Sequence, residues 1–274
     1  MLQGILLLWS VLVLLSFVFI VYDLIKVTPE HWVMKLGWAL VVLYTGPLGL
    51  FFYFLSCREP LPGTHEKFIA ARWKQALGSE IHCLAGDATG IILAAVILHF
   101  YELPSWFEII LEYISAFIIG LFVFQALFMK KMHGGTYIKA VKNTIYSETV
   151  SMNMIMTGMI PVMIVWGYLQ PSARNPMTLN FWGMMSLATI VGGIFAYPMN
   201  YWLVKKGLKH GMMTVRRSKE RAHAHAEEGH MGEEHMQPQI EVSVKEKRRM
   251  LYFSAGSLAL GVIAAVVIVF IFKG

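Results

Sequence analysis

Apolar residues fall into seven long blocks: Leu2–Ile25, Val33–Leu55, Ile81–Tyr101, Trp106–Phe128, Thr149–Leu169, Leu179–Val204 and Leu251–Phe272. Each is about twenty residues or longer, enough for a helix to cross about 30 Å of hydrocarbon. A helix also satisfies its own backbone where there is no water. The pattern predicts an all-α, polytopic helical membrane protein with about seven transmembrane helices. The expected organisation is two transmembrane helices in residues 1–56, a cytoplasmic loop in 57–80, a four-helix core in 81–204, a His- and Met-rich loop in 205–249 and a last helix in 250–274. The first block is too long for a signal-peptide core and lacks a basic start, so it reads as a retained span.

The polar stretches set an orientation. Arg58, Lys67, Arg72 and Lys74 lie between the second and third blocks, and Lys130, Lys131, Lys139 and Lys142 between the fourth and fifth. Eleven Lys and Arg residues lie from Lys205 to Arg249. The alternate stretches hold only Lys26 and Arg174. Basic loops belong on the cytoplasmic side, so a seven-span chain is expected to start in the cytoplasm and to sit as a multi-pass protein in the cell inner (plasma) membrane. Within His65–Gly78, Ile69, Trp73 and Leu77 share a helical face that Lys67, Arg72 and Lys74 avoid, which predicts an amphipathic helix at the interface.

Breakers interrupt the blocks at Gly46-Pro47, Pro161 and Pro198, each freeing a carbonyl one turn earlier. Gly86, Gly90 and Ala94 make a small-residue face that lets a neighbouring helix approach closely.

Composition agrees with the blocks: 57% of residues are hydrophobic and 15% charged, with a mean hydropathy of +0.57. The net charge of +6 sits in the loops and does not indicate a nucleic-acid partner. Cys57 and Cys83 are too few for a disulfide framework. No phosphate-binding glycine loop, nucleophile–base triad or dinucleotide fingerprint occurs, so no enzyme activity is expected.

Candidate chemistry gathers in two blocks. Met152, Met156, Met159 and Met163 are spaced four, three and four residues apart, with Glu148 one turn before the row on nearly the same face. Thioethers in file suit a soft ion such as Cu(I), and they equally suit gap-filling between packed helices. The third block opens with Glu80, His82, Cys83 and Asp87. Cys83 and Asp87 share a face, and an acid inside a membrane usually faces a partner, a cavity or a pathway. His82, Cys83, Asp87 and Glu148 are candidate metal ligands at an entrance, with the methionines deeper. Glu108 and Glu112 near the opposite end suit either a cation exit or an interfacial position. The loop residues His223, His225, His230 and His235, interleaved with Met and Glu, form a candidate surface metal tract or a plain solvated segment.

Three pieces carry a family likeness: Ile81-His82-Cys83-Leu84-Ala85-Gly86 with Gly90, then Glu148-Thr149-Val150-Ser151, then Phe195-Ala196-Tyr197-Pro198-Met199-Asn200-Tyr201-Trp202-Leu203 with Lys206-Gly207 and His210. In order and spacing, the stretch from about 77 to 213 resembles an uncharacterised domain-of-unknown-function family of bacterial four-span membrane proteins. The resemblance implies a four-helix core and an association with copper-oxidase-type proteins, but no settled activity. It also implies a cysteine where this chain has Asp87 and an acid near Met156.

The reading expected from these residues is membrane transport or handling of a transition metal, copper above all, through a Met/Cys/Asp-lined bundle. Copper ion is its expected cofactor or cargo. The lipid bilayer and a copper-handling protein or larger membrane complex are its expected partners, and a homo-oligomer is compatible with it. The alternatives are a non-catalytic accessory subunit of a larger membrane complex and, ranked last, a haem- or quinone-linked protein using His82, His99 or His133.

Overall fold

The computed structural model describes residues 1–101, 103–126, 136–212 and 242–273, and their regular structure is helical. The helices are α1 (Leu2–Lys26), α2 (Trp32–Thr45), α3 (Pro47–Ser56), α4 (His65–Ile69), α5 (Arg72–Leu98), α6 (Ser105–Ile118), α7 (Tyr137–Leu169), α8 (Leu179–Lys205) and α9 (Val244–Lys273). A π-helical stretch, Ile119–Gln125, continues α6. Six of these helices, counting α6 with its π stretch, are long and apolar enough to cross a membrane: α1, α5, α6, α7, α8 and α9. The protein is an all-α polytopic membrane protein. Its long helices run past the apolar blocks, because polar residues continue the hydrogen-bond ladder once it has formed.

The block Val33–Leu55, expected as one crossing, is instead a helical hairpin made of α2 and α3. The chain turns at Gly46, whose φ is +57°. A Cβ at that position would stand 2.7 Å from the Val13 side chain. Glycine satisfies both demands, and Pro47 then starts α3 with its φ already helical. α2 runs in the same direction as α5: Gly37 packs against Ile81, and the Tyr44 and Thr89 hydroxyls are 2.8 Å apart. α3 runs with α1, from Val13 beside Gly46 to Phe19 and Phe54, whose ring centroids are 5.5 Å apart. Tyr53 near the end of α3 donates to Asp23 near the end of α1 at 2.6 Å, and Arg58 reaches the same carboxylate at 2.9 Å. The two arms therefore enter and return on one face.

This return changes the expected orientation. Lys26, Arg58, Lys67, Arg72, Lys205 and Lys206 all lie at one face of the bundle, called here the basic face. Met1, the α5–α6 and α7–α8 connections and Lys273 lie at the other. Met1 was expected on the side of the basic loops and stands opposite them.

The amphipathic helix expected within His65–Gly78 is divided. Ala71 is extended (φ −60°, ψ 131°), α4 ends before it, and α5 begins at Arg72. Ile69 is buried on α4, while Lys74, expected on the solvated side, is buried on α5 with its Nζ 3.0 Å from the Phe68 ring centroid. That cation–π contact stands in for water around the ammonium.

α5 is the central helix. Its small-residue face docks α6: Cβ atoms at Gly86 and Gly90 would lie 2.7 and 2.5 Å from the Cα atoms of Gly120 and Ala116. α7 packs between α8 and α9. The carbonyl of Thr157, which Pro161 leaves without its helix donor, faces Gly261 of α9. This is the approach expected at a proline inside a membrane helix.

Candidate functional site: a buried charge cluster at the head of a methionine row

Cys83 lies on the face of α5 turned toward the π stretch, α7 and the segment after α8. It is fully buried. Three groups converge on its sulfur: Gln125 Nε2 donates from 3.0 Å, Lys209 Nζ donates from 2.6 Å, and the thiol itself donates to Glu148 Oε2 at 3.4 Å. Lys209 also donates to Asn200 Oδ1 at 3.0 Å and stands 3.8 Å from Glu148 Oε2. Ser151 donates to the same Asn200 oxygen at 2.9 Å. Helices α5, α7 and α8, the π stretch and the segment beyond α8 each supply at least one member.

Lys209 is buried outside the spanning segments. Burial works against its charge, but Cys83, Glu148 and Asp87 hold its pKa above the usual lysine range. A buried ammonium survives where carboxylates and hydrogen bonds replace its water.

Asp87 and Glu148 are fully buried. Their oxygens Oδ1 and Oε1 both close on Gly120, at 2.7 and 2.6 Å from the point where a Cβ would stand. Any side chain at 120 would displace them. Gly120 belongs to the π stretch, whose wider turn is closed by the Ala126 N–H to the Leu121 carbonyl. Such π segments recur where a helix must present groups that an α-helix would rotate away.

Cys83, Asp87 and Glu148, expected together from depth alone, are thus brought together. His82 is buried but turns toward α2, its Nδ1 3.9 Å from the point where a Cβ on Gly37 would stand. Glu80 is buried against Gly193 of α8. Met152, Met156 and Met159 are fully buried along α7, continuing the Glu148 side toward the opposite face, and Met159 packs on Gly192. Met163 ends the row in a cleft of about 850 Å³ that also contains Glu108, Glu112, His99, Tyr113 and Arg174. Among the described residues, no three His, Cys, Asp or Glu side chains are placed to hold one metal ion together. His223, His225, His230 and His235, and also His133, lie outside the described residues.

Gln125, Asn200 and Lys209 were not singled out from the sequence. Asn200 lies within residues 195–203, one of the pieces that carry the family likeness, and Lys209 reads as one of the basic residues after a span. A polar residue near a span end is the signal that marks all three.

A family model described as Domain of unknown function (DUF4396) matches residues 72–209, from the first residue of α5 to Lys209. The match therefore contains every member of the cluster. No curated protein and no solved structure matches the chain.

Proposed function

Since the chain belongs to the family described as Domain of unknown function (DUF4396), we propose its function from its geometry: a membrane carrier for a soft transition-metal cation, with copper(I) as the cargo its donors suit. One observation carries this reading. The buried thioethers of Met152, Met156 and Met159 run along α7 from the Glu148–Cys83 cluster to a cleft containing Met163, Glu108 and Glu112.

Thioethers bind Cu(I) and exchange it readily, and conduction needs sites weak enough to release the ion. Thioethers would therefore pass the ion along, with no resident centre of His, Cys and carboxylate. Cys83 and the Glu148 Oε2 that its thiol meets would form the mouth, and the Lys209 ammonium would oppose entry of a cation until it moves aside. The His223, His225, His230 and His235 tract would gather ions for this mouth. The basic face would be cytoplasmic by the distribution of Lys and Arg, with the protein in the inner (plasma) membrane.

The test is Cu(I) flux in proteoliposomes. Replacing Met152, Met156 and Met159 together by Leu is expected to keep the fold and abolish flux. Flux equal to that of the unaltered protein would sink the methionine route.

The second reading is an accessory subunit of a larger membrane complex. It draws support from α9, whose most apolar window is only 6% buried and so faces lipid or another protein. A partner that co-purifies with a chain that carries no copper would favour it.

A further inference from the structure

The carboxylate oxygens that the sulfur chemistry does not use form a site of their own. Asp87 Oδ1 and Oδ2 and Glu148 Oε1 have no hydrogen-bond partner among the described residues, and both side chains are 0% exposed. Oxygens of both residues meet at Gly120, within 2.7 Å of the point where a Cβ would stand. Gly86 seals the far side of Gly120, its own Cβ position lying 2.7 Å from the Gly120 Cα. The neighbouring polar groups are engaged elsewhere: the Gln125 amide donates to Cys83, and the Tyr113 hydroxyl donates to Asn153.

Charge sharpens the picture. With both carboxylates ionised, two negative charges face one ammonium, and the cluster is then one positive charge short. Lys209 spends its contacts on Cys83, Asn200 and Glu148 Oε2, which leaves Asp87 with no hydrogen-bond partner among the described residues. An uncompensated buried carboxylate is among the most expensive groups a fold can hold. Hard carboxylate oxygens select hard cations over soft ones. A deficit of one charge, with an ammonium fixed nearby, selects a monovalent ion over a divalent one.

We propose that Asp87 and Glu148, on the bare floor of Gly120, form a binding site for a hard monovalent cation of the sodium class. The site is separate from the thioether row and exists whether or not the protein carries copper. Occupancy completes the charge balance that Lys209 leaves unfinished, so a bound sodium ion holds α5, α7 and the π stretch together.

The experiment measures thermal unfolding of the full chain in detergent at fixed pH and ionic strength, with NaCl replacing choline chloride in steps. Sodium is expected to raise the unfolding temperature to a plateau, as a ligand of the folded state must. Asp87→Asn, close to isosteric, is expected to lose the sodium-dependent rise, and so is Gly120→Ala, whose methyl would stand between the oxygens. If these variants do not fold, binding of sodium-22 to the unaltered protein decides the matter: saturable binding displaced by NaCl and not by choline chloride supports the site.

A protein with neither the rise nor the binding overturns the proposal. So does an unchanged sodium response in folded Asp87→Asn, or stabilisation by acid that sodium does not alter, which would assign the missing charge to a proton. The Met152, Met156 and Met159 to Leu variant is expected to keep the sodium response while losing copper flux, so failure of the carrier reading and failure of the sodium site are told apart.

Discussion

The ammonium of Lys209 donates to the sulfur of Cys83 across 2.6 Å, joining a residue beyond the end of α8 to the central helix α5. The same nitrogen stands 3.8 Å from Glu148 Oε2. One side chain therefore fastens the post-α8 segment, α5 and α7 at a single buried point. Replacing it by Met removes the only cation among the cluster's described members. Breaking a buried pair from one side costs about 3–5 kcal/mol, so Lys209→Met is expected to lower the unfolding temperature sharply. Adding Glu148→Gln to it should recover part of the loss, because the uncompensated charge is then gone. Thermal unfolding of the single and double variants checks this.

The close approach of α5 and α6 at Gly90 is a second point of sensitivity. A methyl at Gly90 would lie 2.5 Å from the Ala116 Cα and 2.7 Å from its N, both backbone atoms that cannot rotate away. Gly90→Ala is expected to destabilise by about 1–3 kcal/mol, the usual cost of overpacking. Gly256→Ala, with nothing within 4 Å of its Cβ position, serves as the control. It is expected to be neutral or slightly stabilising in the same unfolding measurement.

The hairpin predicts which residues share a side. Single cysteines introduced at Lys26 and Lys67 are expected to react with an impermeant maleimide from the same side of oriented vesicles. Cysteines at Gly4 and Met177 are expected to react from the other. Native Cys57 and Cys83 are buried and are expected to stay silent until the protein is unfolded. Labelling of Lys26 together with Met177 would mean that Trp32–Ser56 crosses the bilayer.

Glu30, in the α1–α2 turn, predicts a pH dependence. Its Oε1 is 2.9 Å from His65 Nε2 on α4. Burial pushes the Glu30 carboxyl above its ordinary value, and the His65 contact offsets this only in part. The folded state thus holds the Glu30 proton to higher pH than the unfolded chain does. Its contribution to stability is complete below the ordinary carboxylate value and fades as pH climbs through the raised one. Glu30→Gln is expected to flatten this part of the profile when unfolding temperature is followed from acid to neutral pH.

Much of the framework was legible in the sequence, because the length and hydropathy of α1, α5, α6, α7, α8 and α9 set them apart from any soluble helix. The small-residue face of α5 was legible too, since Gly86 and Gly90 leave room that only another backbone fills. The direction of Val33–Leu55 was not, since an apolar run has the same hydropathy whether it crosses or turns back. What decides is the contact of Gly46 with Val13, which lies far away in sequence. Ala71 hid the break between α4 and α5, because the apolar spacing of Ile69, Trp73 and Leu77 continues across it. Cys83 and Asp87 stood out as polar residues in an apolar block, and Glu148 as an acid one turn before the methionine row. Lys209 did not, because a lysine after a span is the ordinary anchor of a membrane helix, and what draws it into a cluster is chiefly Cys83 and Glu148, 126 and 61 positions away.

The π stretch Ile119–Gln125 gives α6 a property that an unbroken α-helix lacks. A segment closed by i to i+5 hydrogen bonds can fall back to the tighter i to i+4 register, much as a screw moves between two threads. Ser105–Ile118 would stay docked on α5 through Ala116 and Gly90 while the residues beyond Ile118 turned about the axis. That turn would carry the Gln125 amide away from Cys83 and Gly120 away from the two carboxylates. The donor to the thiol and the floor beneath the acids are thus set by a single choice of hydrogen-bond register.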